Sequence, residues 1–296
     1  MFGSLDDTQD YLKVLYYGRE GSGKSSNALT LAKMGRILLI NAEGGAKKTA
    51  LKRLGIPTEN VMVWPRRQGD PITNAGLDEL YFQIKTELEA DPESWVGVVF
   101  DSITDIVTAL LGQVVDRRVE KARNRGVSID DIDEHFTEIS DYGTMSKIVS
   151  DKIRKFRDLP THVVYTALER RVVDSDTSQV TYTPAVTPGV AVPLLGYVDF
   201  VLACRAEDEQ GNFRALTKRG NRYRAKDRFG ILPEIMAVPS MERLFAYAEG
   251  ELTIDSDPLQ ATVSQIKSGK SKTEKSDDES NNEFDTAADD AVDNHE

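Results

Sequence analysis

Residues 18–25 constrain this chain more than any other segment. They read Gly-Arg-Glu-Gly-Ser-Gly-Lys-Ser, after an apolar run at 12–17 and before a helical pattern at 25–34. Glycines at these positions let backbone N–H groups turn inward around phosphates, and the start of a helix adds its positive end. The complete pattern between a strand and a helix predicts a loop that binds a nucleoside triphosphate.

The spacing of this loop assigns individual roles. Lys24 is expected to reach the β- and γ-phosphates, and the hydroxyl of Ser25 is expected to ligate Mg²⁺. The predicted nucleotide-binding residues are Gly18, Arg19, Glu20, Gly21, Ser22, Gly23, Lys24, Ser25 and Ser26.

Two carboxylates follow later apolar strands. Asp101 ends the run Val98-Val99-Phe100, which is typical of the residue that holds Mg²⁺ in such sites, here through water. Glu43 lies just beyond the run at 36–40, and a carboxylate at this edge of a parallel sheet can polarise an attacking water. We therefore predict Lys24, Glu43 and Asp101 as catalytic residues, with ATP and Mg²⁺ as cofactors.

The hydrophobic pattern predicts a mixed α/β fold with a mostly parallel sheet and helices on both faces. Predicted helices cover 25–34, 76–90, 102–119 and 142–159. The segment 172–183 is predicted as a β-hairpin or a mobile loop. Predicted strands cover 12–17, 36–40, 59–64, 96–100, 162–166, 197–205, 213–217 and 222–229, with a turn at 208–211.

Composition restricts the class of protein. The chain has 296 residues, 40% of them hydrophobic, and no run approaches the ~20 apolar residues of a membrane span. Its beginning lacks a signal-peptide layout, and its one cysteine, Cys204, lies in an apolar strand and is expected to be buried. We expect a soluble cytoplasmic protein without a membrane partner.

Charge and composition divide the chain into two predicted regions. Residues 1–250 carry the hydrophobic signal of a folded core, whereas 251–296 is predicted to be a disordered acidic tail. Nine carboxylates and no Lys or Arg fall within 276–296, so this segment holds most of the net charge of −12. The acidic total therefore does not exclude a nucleic-acid partner.

The order of these motifs resembles the ATPase core of RecA over roughly residues 11–233. The corresponding pieces are the loop at 18–25, Asn41-Ala42-Glu43 and Asp101-Ser102. The resemblance implies a RecA-like P-loop core with an antiparallel C-terminal extension of the sheet, assembled as a ring or filament. It also implies that Lys226 and Arg228 act in trans on a neighbouring site. Where that family has an Asn-Gln pair, this chain has Thr166-Ala167.

More narrowly, the chain resembles bacteriophage RecA-like ATPases described as single-strand annealing proteins of the fourth Sak-type group. Asp141-Tyr142-Gly143 and the segments 194–199 and 226–233 carry this resemblance. It implies single-stranded DNA binding, annealing or recombination in a host cytoplasm, and a single-stranded-DNA-binding protein as partner. Arg170, Arg171 and Tyr182 fall where RecA-like folds place a DNA loop, and we predict them as DNA contacts.

Three alternatives stay open. A small-molecule or nucleotide kinase would use the Arg-rich segment 117–125 as a lid over an acceptor. A non-catalytic assembly module would bind nucleotide with Glu43 as a bystander. The third alternative concerns Lys226 and Arg228, which would belong only to a solvated or DNA-facing basic strand together with Arg219, Arg222 and Arg224.

Overall fold

The computed structural model describes residues 10–67, 69–126, 136–205, 213–220 and 222–260. The chain divides into a compact unit, Met1–Ile254, and a second unit, Asp255–Glu296. Only 255–260 of the second unit are described. The predicted turn at 208–211 and residues 261–296 of the predicted disordered tail lie outside the described residues, whereas the start of that tail, 251–260, is described.

The first unit alternates strands and helices. A three-ten turn, Thr30–Lys33, extends α1, and another, Thr58–Asn60, precedes β3. In chain order the elements are β1 (Lys13–Gly18), α1 (Lys24–Leu29), β2 (Ile37–Asn41), α2 (Lys48–Arg53), β3 (Val61–Trp64), α3 (Asn74–Ala90), β4 (Gly97–Asp101), α4 (Ile103–Asn124), α5 (Ile139–Arg157), β5 (His162–Val173), β6 (Val180–Pro184), α6 (Pro188–Tyr197), β7 (Phe200–Arg205), β8 (Arg214–Leu216), β9 (Lys226–Asp227), β10 (Ile235–Ala237) and α7 (Met241–Ala248).

One sheet runs through this unit in the order β10-β8-β7-β1-β5-β4-β2-β3. The pairs from β7 to β3 are parallel, whereas β8 and β10 join antiparallel. The central strands are continuous apolar runs because both of their faces are covered. The predicted fold class, a mostly parallel sheet flanked by helices with antiparallel strands at its C-terminal end, is confirmed.

Alternate side chains of each strand enter two separate cores. In β1, Leu15 and Tyr17 pack with α3, α4, α5 and α6 on one face of the sheet. Val14 and Tyr16 pack with α1 and α7 on the other face. This two-sided burial holds β1 rigidly at the centre, so the loop that follows it starts from a fixed point.

The second half of the sheet differs from the sequence prediction in three places. The strand predicted at 162–166 continues to Val173 and pairs antiparallel with β6, so the hairpin alternative is the one observed. The strand predicted from 197 begins at Phe200, after α6. The strand predicted at 222–229 shrinks to Lys226–Asp227, because this segment follows β7 for two residues and then turns away.

The lone cysteine is a packing residue. Cys204 is free and fully buried in β7, and burial raises the pKa of its thiol to about 12. The expectation that it is buried is confirmed.

Candidate nucleotide site

The predicted phosphate loop joins the end of β1 to the start of α1. Gly21 and Gly23 have φ of 68° and 78°, a region that favours glycine. A Cβ on Gly18 would lie 2.6 Å from the carbonyl oxygen of Cys204, and one on Gly23 would lie 2.4 Å from the ring of Phe213. Backbone conformation and close packing therefore both require glycine in this loop.

The ammonium of Lys24 lies inside the loop. It donates to the carbonyl oxygens of Gly18 at 3.0 Å and Arg19 at 2.6 Å. The hydroxyl of Ser22 donates to the same Arg19 oxygen at 2.8 Å. Lys24 is buried, so a cationic group is held where the loop would enclose an anion.

Asp101 is the centre of a hydroxyl–carboxylate cluster. Its Oδ1 accepts hydrogen bonds from Ser25 at 2.8 Å and from Thr166 at 2.6 Å, and Oδ2 has no hydrogen-bond partner within the described part of the chain. Burial raises the pKa of Asp101, against the lowering effect of these two hydrogen bonds and of the Lys24 charge.

The side-chain oxygen atoms of Ser25 and Asp101 are suitable ligands for a magnesium ion. Mg²⁺ takes oxygen ligands and usually keeps several waters beside one or two protein groups and substrate phosphates. Ser25 offers a hydroxyl, and the unpartnered Oδ2 of Asp101 can hold a metal-bound water. Among the described residues, no three His, Cys, Asp or Glu side chains cluster as a metal site. Waters and phosphate oxygens would complete the coordination of a bound Mg²⁺.

Glu43 lies at the same edge of the sheet. It follows β2, which pairs with β4 so that Asn41 is opposite Asp101. Its backbone N–H donates to the carbonyl oxygen of Asp101 at 3.0 Å. Burial raises the pKa of Glu43, and the negative charges of Asp101 and Asp105 raise it further. A carboxyl group with a raised pKa, next to the carboxylate that would hold Mg²⁺, is suited to accept a proton from water.

Two further residues at this edge of the sheet, Asp105 and Thr166, were not predicted as site residues from the sequence. Asp105, in the first turn of α4, receives the hydroxyl hydrogen bond of Ser102 and adds to the negative charge near Glu43. Thr166 reaches Asp101 because β5 lies between β1 and β4. Its hydrogen bond to Asp101 follows from the strand order, which the local pattern does not specify.

The predicted DNA contacts lie on the β5–β6 hairpin, next to the phosphate loop. Arg171 pairs with Tyr182 in the hairpin, and Arg170 is the preceding residue. The ring of Tyr182 stacks on that of Tyr223 with centroids 5.0 Å apart, and the guanidinium of Arg205 lies 3.7 Å from the Tyr223 centroid. We call Arg205, Tyr223 and Tyr182 the tyrosine stack; Tyr223 was not foreseen from the sequence.

Lys226 and Arg228 lie at the opposite end of β7. β9 pairs with Phe200–Val201, whereas the phosphate loop packs against Cys204, roughly 13 Å further along the strand. Lys226 donates to the carbonyl oxygens of Leu195, Gly196 and Val198. Arg228 pairs with Asp199 at 2.7 Å. In this chain both cations hold the C-terminal end of α6, and their predicted action on a neighbouring subunit stays a prediction.

A phosphate loop between a central strand and a helix, with a buried aspartate one strand away, defines a P-loop nucleotide-binding protein. The family model of the AAA domain matches residues 10–229, well over half of the chain, and the protein belongs to that family. Membership implies nucleotide binding, usually with Mg²⁺, in a family of ATPases. No curated protein is similar enough to the chain to count as a match. Throughout the described ranges, no helix is both long and apolar enough to cross a membrane.

Proposed function

We propose that the protein hydrolyses ATP at this site and binds single-stranded DNA on the adjacent β5–β6 hairpin. One observation carries the proposal. β5 is a strand of 12 residues that begins in the sheet, passes Thr166 at Asp101 and continues into the basic residues Arg170 and Arg171. A single rigid element therefore joins the nucleotide site to the cationic hairpin.

The hydrolytic chemistry follows from the placement of the carboxylates. Mg²⁺, when bound with ATP, neutralises charge that develops on the phosphates. Ser25 and Asp101 would hold it, Asp101 through water, and Lys24 would contact the β- and γ-phosphates. Glu43 would accept a proton from the attacking water, because its raised pKa favours proton uptake.

Charge and aromatic groups on the hairpin support the DNA part. Proteins that bind single strands combine basic grooves with aromatic rings on which bases stack. Arg171 is exposed, Arg170 is half-buried, and the tyrosine stack lies beside them. The resemblance to phage single-strand annealing proteins suggests that this binding assists annealing and recombination, with self-assembly into a ring or filament and a single-stranded-DNA-binding protein as partner.

The first experiment tests DNA binding. We expect labelled oligothymidine to bind at low salt, and affinity to fall steeply as salt rises, because phosphate contacts release counterions. We also expect single-stranded DNA to raise the rate of ATP turnover. Absence of binding at the lowest salt would contradict the DNA part and leave the ATPase part standing.

The second experiment tests catalysis. Glu43→Gln should lower ATP turnover by a factor of about 100 or more, because general-base catalysis contributes that much, and should leave ATP binding intact. Glu59→Gln, at an exposed position, is the matched control and should turn over ATP normally. Unchanged turnover in Glu43→Gln would show that Glu43 is a bystander, and absence of turnover in the wild type would favour the non-catalytic assembly module.

The kinase alternative has less support from the described residues. Its lid would be the Arg-rich segment 117–125, which is the last part of α4 and the residue after it. Arg118 in this segment is fixed by Asp141 at 3.1 Å and Glu138 at 3.2 Å, so it serves the start of α5. Phosphate transfer to a nucleoside or nucleoside monophosphate in an acceptor screen would overturn the ATPase proposal.

Annealing and assembly need separate measurements. Mixing two complementary labelled strands with the protein and ATP should speed duplex formation over the spontaneous rate. Light scattering with ATP and single-stranded DNA should report a particle larger than a monomer. Equal annealing rates with and without protein would contradict the role in recombination.

A further inference from the structure

Glu169 is a carboxylate whose side chain is only 6% exposed, and it lies between two arginines. Its Oε1 accepts from Nε of Arg19 at 3.1 Å, and its Oε2 accepts from Nη1 of Arg205 at 3.2 Å. A buried carboxylate requires such partners, since an unpaired charge away from water is strongly destabilising. The two arginines belong to different functional parts of the molecule.

Arg19 belongs to the phosphate loop. Its carbonyl oxygen accepts from Lys24 and from Ser22, so its backbone is part of the arrangement that holds the phosphate-binding ammonium. The Arg19 side chain is 59% exposed although it is bonded to Glu169. An anion bound in the loop would therefore compete with Glu169 for the Arg19 guanidinium.

Arg205 belongs to the tyrosine stack. Its guanidinium lies over Tyr223, and Tyr223 stacks on Tyr182. Backbone hydrogen bonds join Tyr182 to Arg222 and Arg224, so the stack lies where the hairpin is fixed against the segment 222–224. Nε and Nη2 of Arg205 have no hydrogen-bond partner in the described part of the chain. The orientation of Arg205 consequently depends on Glu169.

We propose that Glu169 is a positioning residue that couples nucleotide binding at residues 18–25 to the single-stranded DNA affinity of the hairpin. The inference rests on the proposed function. A bound triphosphate draws the Arg19 guanidinium away and leaves the whole charge of Glu169 to Arg205. Arg205 is then held more tightly under Tyr223, and the tyrosine stack is better ordered for bases. Nucleotide therefore tightens DNA binding.

The test compares two dissociation constants for DNA, one measured without nucleotide and one with it, and expresses them as a ratio. Binding of labelled oligothymidine is titrated with and without the non-hydrolysable analogue AMP-PNP and Mg²⁺. In the wild type we expect AMP-PNP to tighten DNA binding about fivefold or more, and DNA to tighten AMP-PNP binding by the same factor, since coupling is reciprocal. In Glu169→Gln the ratio should fall to within about twofold of one.

Two further variants make the outcome decisive. Glu242→Gln removes an exposed glutamate paired with Lys33 and should keep the wild-type ratio. Arg205→Lys keeps the charge but loses the flat guanidinium over Tyr223, and should lose coupling as Glu169→Gln does. The ratio is read for each variant whose thermal unfolding shows a folded protein.

Each result has a distinct meaning. Loss of the ratio in Glu169→Gln, with the ratio kept in Glu242→Gln, supports the proposal, and a matching loss in Arg205→Lys shows that the coupling passes through Arg205. A wild-type ratio near one, or a wild-type ratio retained in Glu169→Gln, overturns it while the DNA-binding ATPase stands. A wild type that binds no DNA at low salt removes the proposed function and the coupling together.

Discussion

The hydroxyl of Thr166 donates to Oδ1 of Asp101 at 2.6 Å, although the two residues are 65 positions apart in the chain. They meet because β5 pairs with β4 in register, with Phe100 opposite Tyr165. Ser25 donates to the same oxygen from the other side. These two bonds orient the carboxylate, and its Oδ2 is left without a hydrogen-bond partner among the residues that the structure describes.

Replacing Thr166 by Val should weaken this site. A hydrogen bond to a charged group contributes about 1.5–3 kcal/mol, so the variant should need about tenfold more Mg²⁺ for half-maximal ATP turnover, or more. A magnesium titration of turnover checks this. Thr144→Val removes an exposed hydroxyl that bonds its own helix and should leave the titration unchanged. An unaltered Mg²⁺ requirement in Thr166→Val would show that Thr166 does not orient Asp101.

The pH dependence of turnover should reflect Glu43. Burial, then the charges of Asp101 and Asp105, raise the pKa of Glu43 above the ordinary value of 4.5, so the base takes up its proton at a higher pH than an exposed glutamate. The acidic limb of the pH–rate profile should therefore lie above 4.5. Asp105→Asn removes one negative charge and should move the limb to lower pH. A limb that does not move would exclude Asp105 as a neighbour of the base.

Lys13 should make stability rise with pH in a defined window. Burial lowers the pKa of Lys13 from 10.5 to about 8, so between these values the unfolded chain binds more protons than the folded one. Below pH 8 the folded protein carries the full cost of burying the charged Lys13. This cost disappears towards pH 10.5, which raises the free energy of unfolding by roughly 3 kcal/mol in all. Urea unfolding of wild type and Lys13→Met across this range isolates the effect, and parallel stability curves would contradict it.

Lys226→Met distinguishes the two roles of that cation. Because its ammonium donates to three carbonyl oxygens around the end of α6, the variant should lose about 2 kcal/mol of unfolding free energy. Turnover per folded molecule should stay normal at low temperature. If turnover collapses while the unfolding midpoint stays unchanged, Lys226 acts on a neighbouring site as the resemblance to RecA implies.

Gly23→Ala should damage the phosphate loop. Its Cβ would meet the ring of Phe213 at 2.4 Å, and a φ of 78° strains any residue with a side chain. We expect about 1–3 kcal/mol of lost stability and a large loss of ATP affinity. Gly112→Ala, in open space on α4, should instead be neutral or stabilising. Calorimetry of ATP binding to both variants checks the contrast, and equal affinities would contradict it.

The sequence predicted the parts of the fold that depend on local pattern. β1, β2 and β4 are continuous apolar runs that end at Gly18, Asn41 and Asp101, and a strand buried on both faces gives that signal without help from partners. The phosphate loop is similarly local, because its glycines are required by its own backbone and close packing.

The remaining parts depend on contacts between distant residues. β5 extends past Thr166 only because β6 pairs with it, and α6 was missed because Pro193 and Gly196 interrupt its helical pattern. Without α6, the carbonyl partners of Lys226 had no place in the prediction. Glu169 has no local signal of its own, since its two arginines come from the phosphate loop and from β7.

The length of β5 has a consequence for how this protein can vary. Side chains alternate between faces along a strand, so a one-residue insertion between Thr166 and Glu169 would turn one of them away from its partner. The far end of the hairpin is different, since residues 174–178 are exposed and bonded mainly among themselves. Surface turns of this kind accept changes in length. A new hairpin tip could therefore be grafted onto the chain without disturbing the nucleotide site, provided that the three-residue step from Thr166 to Glu169 is kept.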